Sequence, residues 1–229
     1  MSAIAIITAR GGSKRIPRKN IKEFLGKPII TYTINAALEA NIFDDVMVST
    51  DDIEIADIAK KCGASVPFIR DASLSTDTVM TVPVLIDALD NYRYRGIHYE
   101  YGCCIYPCAP LATPSRLKEG MKLLISSGAD SVVPLVKFSY PPQRSLIIRN
   151  GKAVMSNPEH YKTRSQDLEP YYHDAGQFYC FRSDSLLREE KLFCQKTLPL
   201  VISELEAQDI DTEEDWRMAE LKYRLLYNL

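Results

Sequence analysis

The opening strand, loop and helix constrain the fold of this chain more than any other feature. Residues 3–8 are apolar and β-branched without polar alternation, which predicts a strand covered on both faces in a parallel sheet. A glycine-rich basic loop follows. Pro28 then suits a first helical position, and apolar residues recur at helical spacing up to Ala40. This order of elements is typical of the start of an α/β fold.

The same alternation continues for the next hundred residues and predicts a three-layer parallel sheet. The predicted strands are 45–49, 65–68, 102–106 and 131–136, and the predicted helices are 52–61, 78–92 and 114–127. Pro83 is compatible with its helix only in the first turn. Further along, the apolar run 198–202 precedes a last helix, which is predicted to begin at Thr212 with Asp215 as a capping residue.

Residues 138–172 interrupt this pattern. Asn150-Gly151 lies between residues 146–149 and 152–155, which predicts a β-hairpin. A polar stretch follows, and residues 172–181 are then predicted to form a strand. We interpret residues 138–172 as an arm within a single domain that spans residues 1–229.

Charge and cysteine usage exclude several classes of protein. The 28 Lys and Arg against 30 Asp and Glu leave a formal charge of -2, without the electrostatic footprint of a nucleic-acid binder. The six cysteines lack the spacing of a disulfide framework or a zinc site, which indicates reduced thiols. No apolar run approaches the roughly 20 residues of a membrane span. We therefore expect a soluble cytoplasmic protein with no membrane or nucleic-acid partner.

The loop after the first strand is the strongest candidate for anion binding. Gly11 and Gly12 allow backbone N–H groups to approach an anion, and five basic side chains lie within ten residues. The loop follows the carboxyl end of a strand, where open α/β sheets bind ligands. Neither the P-loop nor the dinucleotide-binding glycine motif is present. A polyphosphate is the predicted guest, and a solvated basic loop is the alternative.

A second candidate is Asp209-Ile210-Asp211, immediately before the last helix. Residues i and i+2 of an extended segment lie on one side, so both carboxylates can bind one Mg²⁺ together with substrate phosphate oxygens. An acidic helix start is the alternative, since acidic residues favour helix N-termini. His173 and Asp174 are weaker candidates for a substrate pocket.

The run from Ile6 to Ile30, IITARGGSKRIPRKNIKEFLGKPII, closely resembles the N-terminal signature of acylneuraminate cytidylyltransferases. Further matches follow in the order of that family and span almost the whole chain. They are STDD at 49–52, FIR at 68–70, LSTDT at 74–78, RSQDL at 164–168 and DIDT at 209–212. The resemblance implies a Rossmann-like nucleotidyltransferase sheet in which residues 138–172 are a hairpin-rich dimerisation arm, and hence a homodimer.

The resemblance also implies roles for individual residues. The triphosphate of CTP is expected at Arg10, Gly11, Gly12, Ser13 and Lys19 with Asn20 nearby, cytosine at Arg70 and Ser75, and Mg²⁺ at Asp209 and Asp211. A sugar carboxylate is expected at Arg164 and Arg144, because a guanidinium fork suits a carboxylate. The sugar pocket is expected to include Tyr106, Gln166, His173, Asp174 and Gln177, some of them from the arm of the partner subunit.

Two departures bear on the sugar. The chain has YPCAP at 106–110 and AGQFY at 175–179, where sialic acid enzymes of the family usually carry QPTSP and NGAIY. These variants resemble the pseudaminic acid branch. The implied reaction is attack of the sugar C2 hydroxyl on the α-phosphorus of CTP, for flagellin or surface glycan glycosylation, with Arg10, Lys19 and Asp211 as the catalytic residues and no evident general base.

Other hypotheses stay open at this stage. Legionaminic or N-acetylneuraminic acid is the alternative substrate, and a product assay distinguishes them. A catalytically silent nucleotide-sugar binding protein is the non-enzyme alternative, although such a protein has no need of a metal site. An RNA-binding loop would show a steep salt dependence, which the near-neutral charge disfavours.

Overall fold

The computed structural model describes residues 2–229, which form six α-helices and eleven β-strands together with short 3-10 turns. The helices are α1 (Ile29–Ala40), α2 (Ile53–Lys61), α3 (Thr81–Tyr94), α4 (Pro114–Ser127), α5 (Ser183–Glu189) and α6 (Glu213–Tyr227). The strands are β1 (Ala3–Thr8), β2 (Glu23–Phe24), β3 (Lys27–Pro28), β4 (Asp45–Ser49), β5 (Tyr101–Ile105), β6 (Ser131–Lys137), β7 (Leu146–Arg149), β8 (Lys152–Met155), β9 (Tyr172–Asp174), β10 (Phe178–Arg182) and β11 (Thr197–Ile202).

A seven-stranded sheet forms the centre of the molecule. Its order is β11-β6-β10-β5-β1-β4, with β9 also paired to β6. The pairs β1 with β4, β1 with β5, and β6 with β11 are parallel. The carboxyl ends of β1 and β5 therefore lie side by side at one edge of the sheet. The loops that follow these strands begin there, at Ala9 and Tyr106.

Helices cover both faces of the sheet and give the three layers that the βα pattern predicts. Ala3, Ala5 and Ile7 of β1 pack with α1, α2 and α4 on one face, whereas Ile4 and Ile6 pack with α3 and α5 on the other. This alternation follows from the two-residue period of a strand. Helix α6 packs separately, in a cluster that joins it to the segment after the basic loop.

The predicted parallel sheet is confirmed for β1, β4, β5, β6 and β11, whereas β9 and β10 are antiparallel to their neighbours. β10 lies between β5 and β6 and is antiparallel to both. The predicted strand 172–181 is also split, because Gly176 has a positive φ of 63° and turns the chain between β9 and β10. Both strands are antiparallel to β6. The chain returns from the arm without a crossover helix, and such a return runs antiparallel to the strand that it left.

Most other elements agree with their predicted bounds. Thr212 and Asp215 form a capping box at the start of α6, and Asn150 and Gly151 both have positive φ in the predicted hairpin. Helix α3 begins at Thr81 rather than at residue 78, which places Pro83 in the first turn. Residues 65–68 form a single bridge to β4 instead of a strand.

Three elements were not predicted. They are the hairpin of β2 and β3 and the short helix α5. All six cysteines carry free thiols. Within residues 2–229, none of the helices combines the length and the apolar character required to span a membrane.

Candidate active site

A cavity of about 640 Å³ lies at the carboxyl ends of β1 and β5. The basic loop lines one side, and the segment before α6 lines the other. The predicted residues that line this first cavity are Arg10, Ser13, Lys19, Asn20, Arg70, Tyr106, Asp209 and Asp211. The structure therefore brings the predicted polyphosphate loop and the predicted carboxylate pair together around one cleft.

Backbone and side-chain hydrogen bonds fix the course of the basic loop. The Gly11 N–H donates to Asp51 Oδ1 at 3.0 Å, and the buried Asn20 donates from Nδ2 to the Arg10 carbonyl at 2.8 Å. A Cβ on Gly11 would lie 2.5 Å from Asp52 Oδ2, whereas a Cβ on Gly12 would meet nothing within 4 Å. Gly11 is thus needed for close packing against the start of α2, whereas Gly12 has open space around it. Neither glycine is among the residues that line the cavity.

The cations of the loop are paired with carboxylates in this structure. Arg10 Nη1 lies 2.5 Å from Asp77 Oδ1, and Lys14 contacts the other oxygen of the same carboxylate. On the other side, Arg15 Nη1 lies 2.5 Å from Asp211 Oδ2. The two cations lower the pKa of Asp77 through hydrogen bonds, chiefly from Lys14. An anionic ligand that enters this cleft must exchange partners with these carboxylates.

Lys19 connects the basic loop directly to the segment of the carboxylate pair. Its Nζ donates to the Ile210 carbonyl and lies 3.7 Å from Asp211 Oδ1. Its side chain is one-fifth exposed, so the ammonium group is held against the cleft wall. Lys19 therefore fixes the distance between the two sides of the cleft.

The carboxylates of Asp209 and Asp211 fit a hard divalent cation. Both line the first cavity, and Asp209 forms no ion pair within residues 2–229. Partial desolvation by the cleft walls, and then the nearby Asp211 carboxylate, raise the pKa of Asp209. Two converging carboxylates that open to a phosphate-sized cavity are the donor set that Mg²⁺ uses with nucleotide substrates. The residues present therefore suit Mg²⁺, although its binding stays a prediction.

Arg70 and Ser75 lie next to each other at the far wall of the cleft. Arg70 Nε donates to Ser75 Oγ at 2.9 Å, and Nη2 lies 3.6 Å from Asp51 Oδ1. Arg70 is 4% exposed. Desolvation by burial lowers its pKa, and the Asp51 carboxylate opposes this effect. Arg70 lines the first cavity, whereas Ser75 is not among its lining residues and instead accepts a hydrogen bond from Arg70.

A second cavity of about 480 Å³ lies beside the first, and Asp209 and Asp211 line both. His173 and Asp174 of β9 line the second cavity, as do residues of α6. Asp174 Oδ2 accepts a hydrogen bond of 2.7 Å from the Tyr179 hydroxyl. The carboxylate pair therefore lies at the boundary between two compartments, which suits a reaction between two bound substrates.

Comparison with known proteins identifies the family. Residues 4–208 match the family described as Cytidylyltransferase. The chain is 41% identical over 226 residues to pseudaminic acid cytidylyltransferase of Campylobacter jejuni, covering 98% of this chain and 97% of that protein. The chain belongs to the cytidylyltransferase family.

This cytidylyltransferase is also similar to a second sugar-activating enzyme in sequence and to a solved structure in fold. It is 32% identical over 227 residues to CMP-N,N'-diacetyllegionaminic acid synthase of Legionella pneumophila, covering 96% of this chain and 95% of that protein. The solved structure of CMP:2-keto-3-deoxy-manno-octonic acid synthetase complexed with CTP superposes with a TM-score of 0.72 at 16% identity, covering 100% of both chains. At this identity the superposition shows the shared fold alone.

Tyr106 and Gln177 of the cytidylyltransferase have different environments. Tyr106 lines the first cavity; its ring packs edge-on against Tyr179 at 5.4 Å, and its hydroxyl lies 3.3 Å from Thr81 Oγ1. Gln177 is 1% exposed, and its Nε2 donates to the Glu206 carbonyl at 2.5 Å. Tyr106 is therefore placed to contact a ligand, whereas the Gln177 side chain supports the cavity wall from beneath.

The arm residues predicted to bind the sugar lie outside both of these cavities. Arg144 donates to Ser165 Oγ at 3.2 Å, Arg164 pairs with Asp167 at 2.8 Å, and Gln166 lines a smaller cavity of about 160 Å³ within the arm. All three side chains are exposed. Within this chain, the arm residues and the cleft residues do not form one site.

Several residues of the cleft had no predicted role. Asp77 is within the LSTDT match and pairs with two loop cations, and Asp51 and Asp52 of the STDD match hold Gly11 and Arg18. Lys222 of α6 and Glu206 lie at or near the second cavity. The two quoted matches were the available signal for the aspartates. No sequence pattern pointed to Lys222 or Glu206, since their contacts depend on tertiary structure.

Proposed function

We propose that this cytidylyltransferase is Mg²⁺-dependent and joins CTP to pseudaminic acid, with CMP-pseudaminic acid and pyrophosphate as products. The observation that carries this proposal is the meeting of the basic loop and the carboxylate pair around one cleft with a second cavity beyond. The similarity to the pseudaminic acid cytidylyltransferase of C. jejuni supports the choice of sugar. The further use of the product, in flagellin or surface glycan glycosylation, is part of the same proposal.

The reaction is an in-line displacement at phosphorus. The oxygen of the C2 hydroxyl of the sugar forms a bond to the α-phosphorus of CTP, and the bond from that phosphorus to the bridging oxygen breaks, so that pyrophosphate leaves with the electron pair. The hydroxyl proton is released to solvent, since no side chain of the cleft stands out as a general base. Such chemistry depends mainly on positioning and on charge neutralisation.

The triphosphate is assigned to the basic side of the first cavity. Arg10 and Lys19 neutralise the charge that develops on pyrophosphate, and Ser13 and the Gly12 amide donate hydrogen bonds. The Gly11 amide is already bound to Asp51, so Gly11 contributes by shaping the loop. Asn20 holds the loop through its bond to the Arg10 carbonyl. Arg70 and Ser75 are assigned to the cytosine, for which they offer a fixed polar wall.

Asp209 and Asp211 would hold Mg²⁺ at the boundary of the two cavities. The bound ion would neutralise α-phosphate charge and lower the pKa of the attacking hydroxyl. When Asp211 serves as a ligand it must part from Arg15, which leaves that guanidinium free to bind phosphate. Asp211 and the loop cations Arg15 and Lys19 are thus coupled, because they form ion pairs with each other in this structure.

The acceptor sugar is assigned to the second cavity, which His173 and Asp174 line, and to Tyr106 in the neighbouring first cavity. We propose that the chain forms a homodimer through residues 138–172, and that Arg144, Arg164 and Gln166 serve the sugar site of the other subunit. Their exposure on the arm, outside both cavities of their own chain, supports this assignment. The buried Gln177 then acts through the cavity wall rather than through direct contact.

A substrate panel tests the proposal. The protein is incubated with CTP and Mg²⁺ and, in separate reactions, with pseudaminic, legionaminic and N-acetylneuraminic acid, and the products are identified by mass spectrometry. We expect CMP-pseudaminic acid to form fastest. Faster formation of CMP-legionaminic acid would favour that sugar, in line with the L. pneumophila relative. Absence of any CMP-sugar would reject the enzyme assignment and favour a silent binding protein.

The metal role is tested by Asp211→Asn. We expect this variant to lose most turnover while CTP binding survives in part, because the loop cations remain. The Glu214→Gln variant is a matched control, since Glu214 lies in the first turn of α6 and outside both cavities. Turnover of Asp211→Asn close to that of the wild type would reject the metal role.

A further inference from the structure

The segment immediately before the carboxylate pair, residues 203–208, is held by a side chain from α4. Arg116 makes a two-point ion pair with Glu206, with Nε 2.8 Å from Oε1 and Nη2 2.9 Å from Oε2. The same carboxylate accepts a hydrogen bond from the Ser203 N–H at 3.1 Å. A planar guanidinium in this geometry fixes direction as well as distance. The start of the segment is therefore tied to α4.

Helix α6 and the turn before β10 hold the backbone of the same segment. Lys222 Nζ donates to the Glu204 carbonyl at 2.9 Å and to the Ala207 carbonyl at 2.7 Å. Gln177 Nε2 donates to the Glu206 carbonyl. Three separate elements of the fold thus donate to carbonyls or to the carboxylate of this short segment. The segment also has hydrogen bonds of its own, in a 3-10 turn (Glu204–Glu206) with a Ser203–Glu206 capping box. The external donors fix the position of this turn relative to the rest of the fold.

The residue between the two carboxylates is anchored from the other direction. Ile210 is 1% exposed and packs in an apolar cluster with Phe24 and Trp216. Its carbonyl accepts a hydrogen bond from Lys19. The backbone of Asp209 therefore lies between two fixed points: residues 204–207 on one side and Ile210 on the other.

We propose that Arg116 and Lys222 are positioning residues that hold Asp209 at the right separation from Asp211 to bind a divalent cation. This inference rests on the proposed function, in which that pair holds Mg²⁺. Two carboxylates close together repel each other, so without these external contacts the 3-10 turn would shift and carry Asp209 away from Asp211. The clamp is defined as Arg116, Glu206 and Lys222.

Lys222 lies on α6, outside the residues 4–208 that match the family. It also lines the second cavity together with Asp209 and Asp211. The last helix therefore contributes to the site in two ways, through its N-terminal junction with Asp211 and through Lys222. A change in α6 packing would reach the cation site through the carbonyls of residues 204 and 207.

The experiment measures Mn²⁺ binding to the protein in the presence of CTP by electron paramagnetic resonance, which reports metal affinity without turnover. The test variants are Lys222→Met, which removes the donors at similar length, and Arg116→Lys, which keeps the charge and loses the two-point contact. The controls are Arg217→Met on α6 and Lys118→Met on α4, whose side chains are exposed and form no ion pair within the described chain. Thermal denaturation of each variant is recorded in parallel.

We expect Lys222→Met and Arg116→Lys to bind Mn²⁺ about tenfold more weakly, at the lower end of the roughly 10–100-fold losses seen when groups that orient metal ligands are removed. The controls should bind like the wild type, and Lys222→Arg should regain most of the affinity. If Lys222→Met and Arg116→Lys bind Mn²⁺ as tightly as the wild type does, the inference is overturned. A lowered melting temperature of these variants would then show that Arg116 and Lys222 have a purely structural role.

Asp211→Asn separates this failure from failure of the proposed function. If the wild type binds Mn²⁺ and Asp211→Asn does not, the metal assignment stands and the clamp variants decide the positioning role alone. If the wild type and Asp211→Asn show the same negligible Mn²⁺ binding, the metal assignment is wrong and the positioning inference is rejected with it.

Discussion

Gly11→Ala is the sharpest test of how the basic loop is built. A Cβ at this position would lie 2.5 Å from Asp52 Oδ2, and also 3.0 Å from Asp52 Cβ and 3.1 Å from Asp52 Cγ. The clash therefore involves the whole side chain of Asp52 and not just its flexible end. Rotation of the carboxylate alone cannot relieve it, because the Asp52 Cβ follows the backbone.

Asp52 is also held in place by its own partners. It is the N-cap of α2, where Oδ1 accepts from the Ile55 N–H at 3.0 Å, and it forms an ion pair with Arg18. The hydrogen bond from Arg18 is the main reason that the pKa of Asp52 lies below its usual range. A shift of Asp52 sufficient to admit a methyl group would weaken the cap, which by itself is typically worth about 1 kcal/mol.

We expect Gly11→Ala to cost about 1–3 kcal/mol, the usual range for an added carbon in a tightly packed site. For a protein of this size that corresponds to a melting temperature lower by roughly 2–12 °C. If the loop instead moves aside to relieve the strain, CTP binding must return the loop to its wild-type position. The same free energy would then appear as a roughly 5–150-fold weaker affinity for CTP.

The assays are thermal denaturation and calorimetric titration with CTP, with Gly12→Ala as the control. Gly12 has open space around its Cβ position, and neither glycine has a positive φ, so alanine is compatible with both backbones. Gly12→Ala should therefore keep the melting temperature within a few degrees of the wild type or raise it slightly. If Gly11→Ala behaves like Gly12→Ala in both assays, the packing of the loop against α2 does not constrain the site.

Three further predictions concern charge and packing. Asp77→Asn frees Arg10 and Lys14, so CTP should bind roughly two- to fivefold more tightly at low salt, with a smaller gain at high salt; calorimetry that shows equal or weaker binding would contradict this. The pKa of Glu206 is lowered chiefly by Arg116, so its contribution to stability is complete above the unfolded pKa of about 4.3 and is lost as the pH falls through the lower folded value. The melting temperature of the wild type should therefore exceed that of Glu206→Gln by a constant amount above about pH 5. This difference should shrink at more acidic pH. If the difference persists at the lowest pH at which both proteins fold, the ion pair is not the source of the difference. Gly102→Ala places a Cβ 2.3 Å from the Phe181 ring of the neighbouring strand and should cost about 3 kcal/mol, with partial recovery in the double variant with Phe181→Leu; equal melting temperatures of Gly102→Ala and the wild type would contradict it.

The sequence predicted the elements whose signals are local. The bounds of β1, β4, the β7–β8 hairpin and the α6 capping box follow from patterns within a few residues, namely an apolar run, an Asn-Gly turn and a Thr-x-x-Asp cap. The position of β10 did not follow from such signals. Its residues predict a strand, but only pairing with β5 and β6 makes that strand central and antiparallel.

The candidate site likewise contains residues that the sequence predicted and residues that it did not. The basic loop and the Asp209–Asp211 pair have compact motifs that are visible in the sequence, whereas the structure shows that both line one cleft. Glu206 and Lys222 were missed because each acts through a contact with residues distant in sequence or with a backbone carbonyl. Residues that orient a site carry no motif of their own.

The charge of the cleft connects these observations. The whole chain carries -2, yet the first cavity is lined by five cationic side chains (Arg10, Lys14, Arg15, Lys19 and Arg70) and three carboxylates (Asp77, Asp209 and Asp211), an excess of two positive charges. A nucleoside triphosphate carries about four negative charges near neutral pH, because its terminal phosphate has a pKa of about 6, and one divalent cation compensates two of them. The complex of the two therefore matches the excess in the cleft, whereas the nucleotide alone would leave negative charge uncompensated beside Asp209 and Asp211. On the proposed function, the carboxylate pair discourages the bare nucleotide and favours its metal complex, so the same two residues that hold the cation also select the form of the substrate.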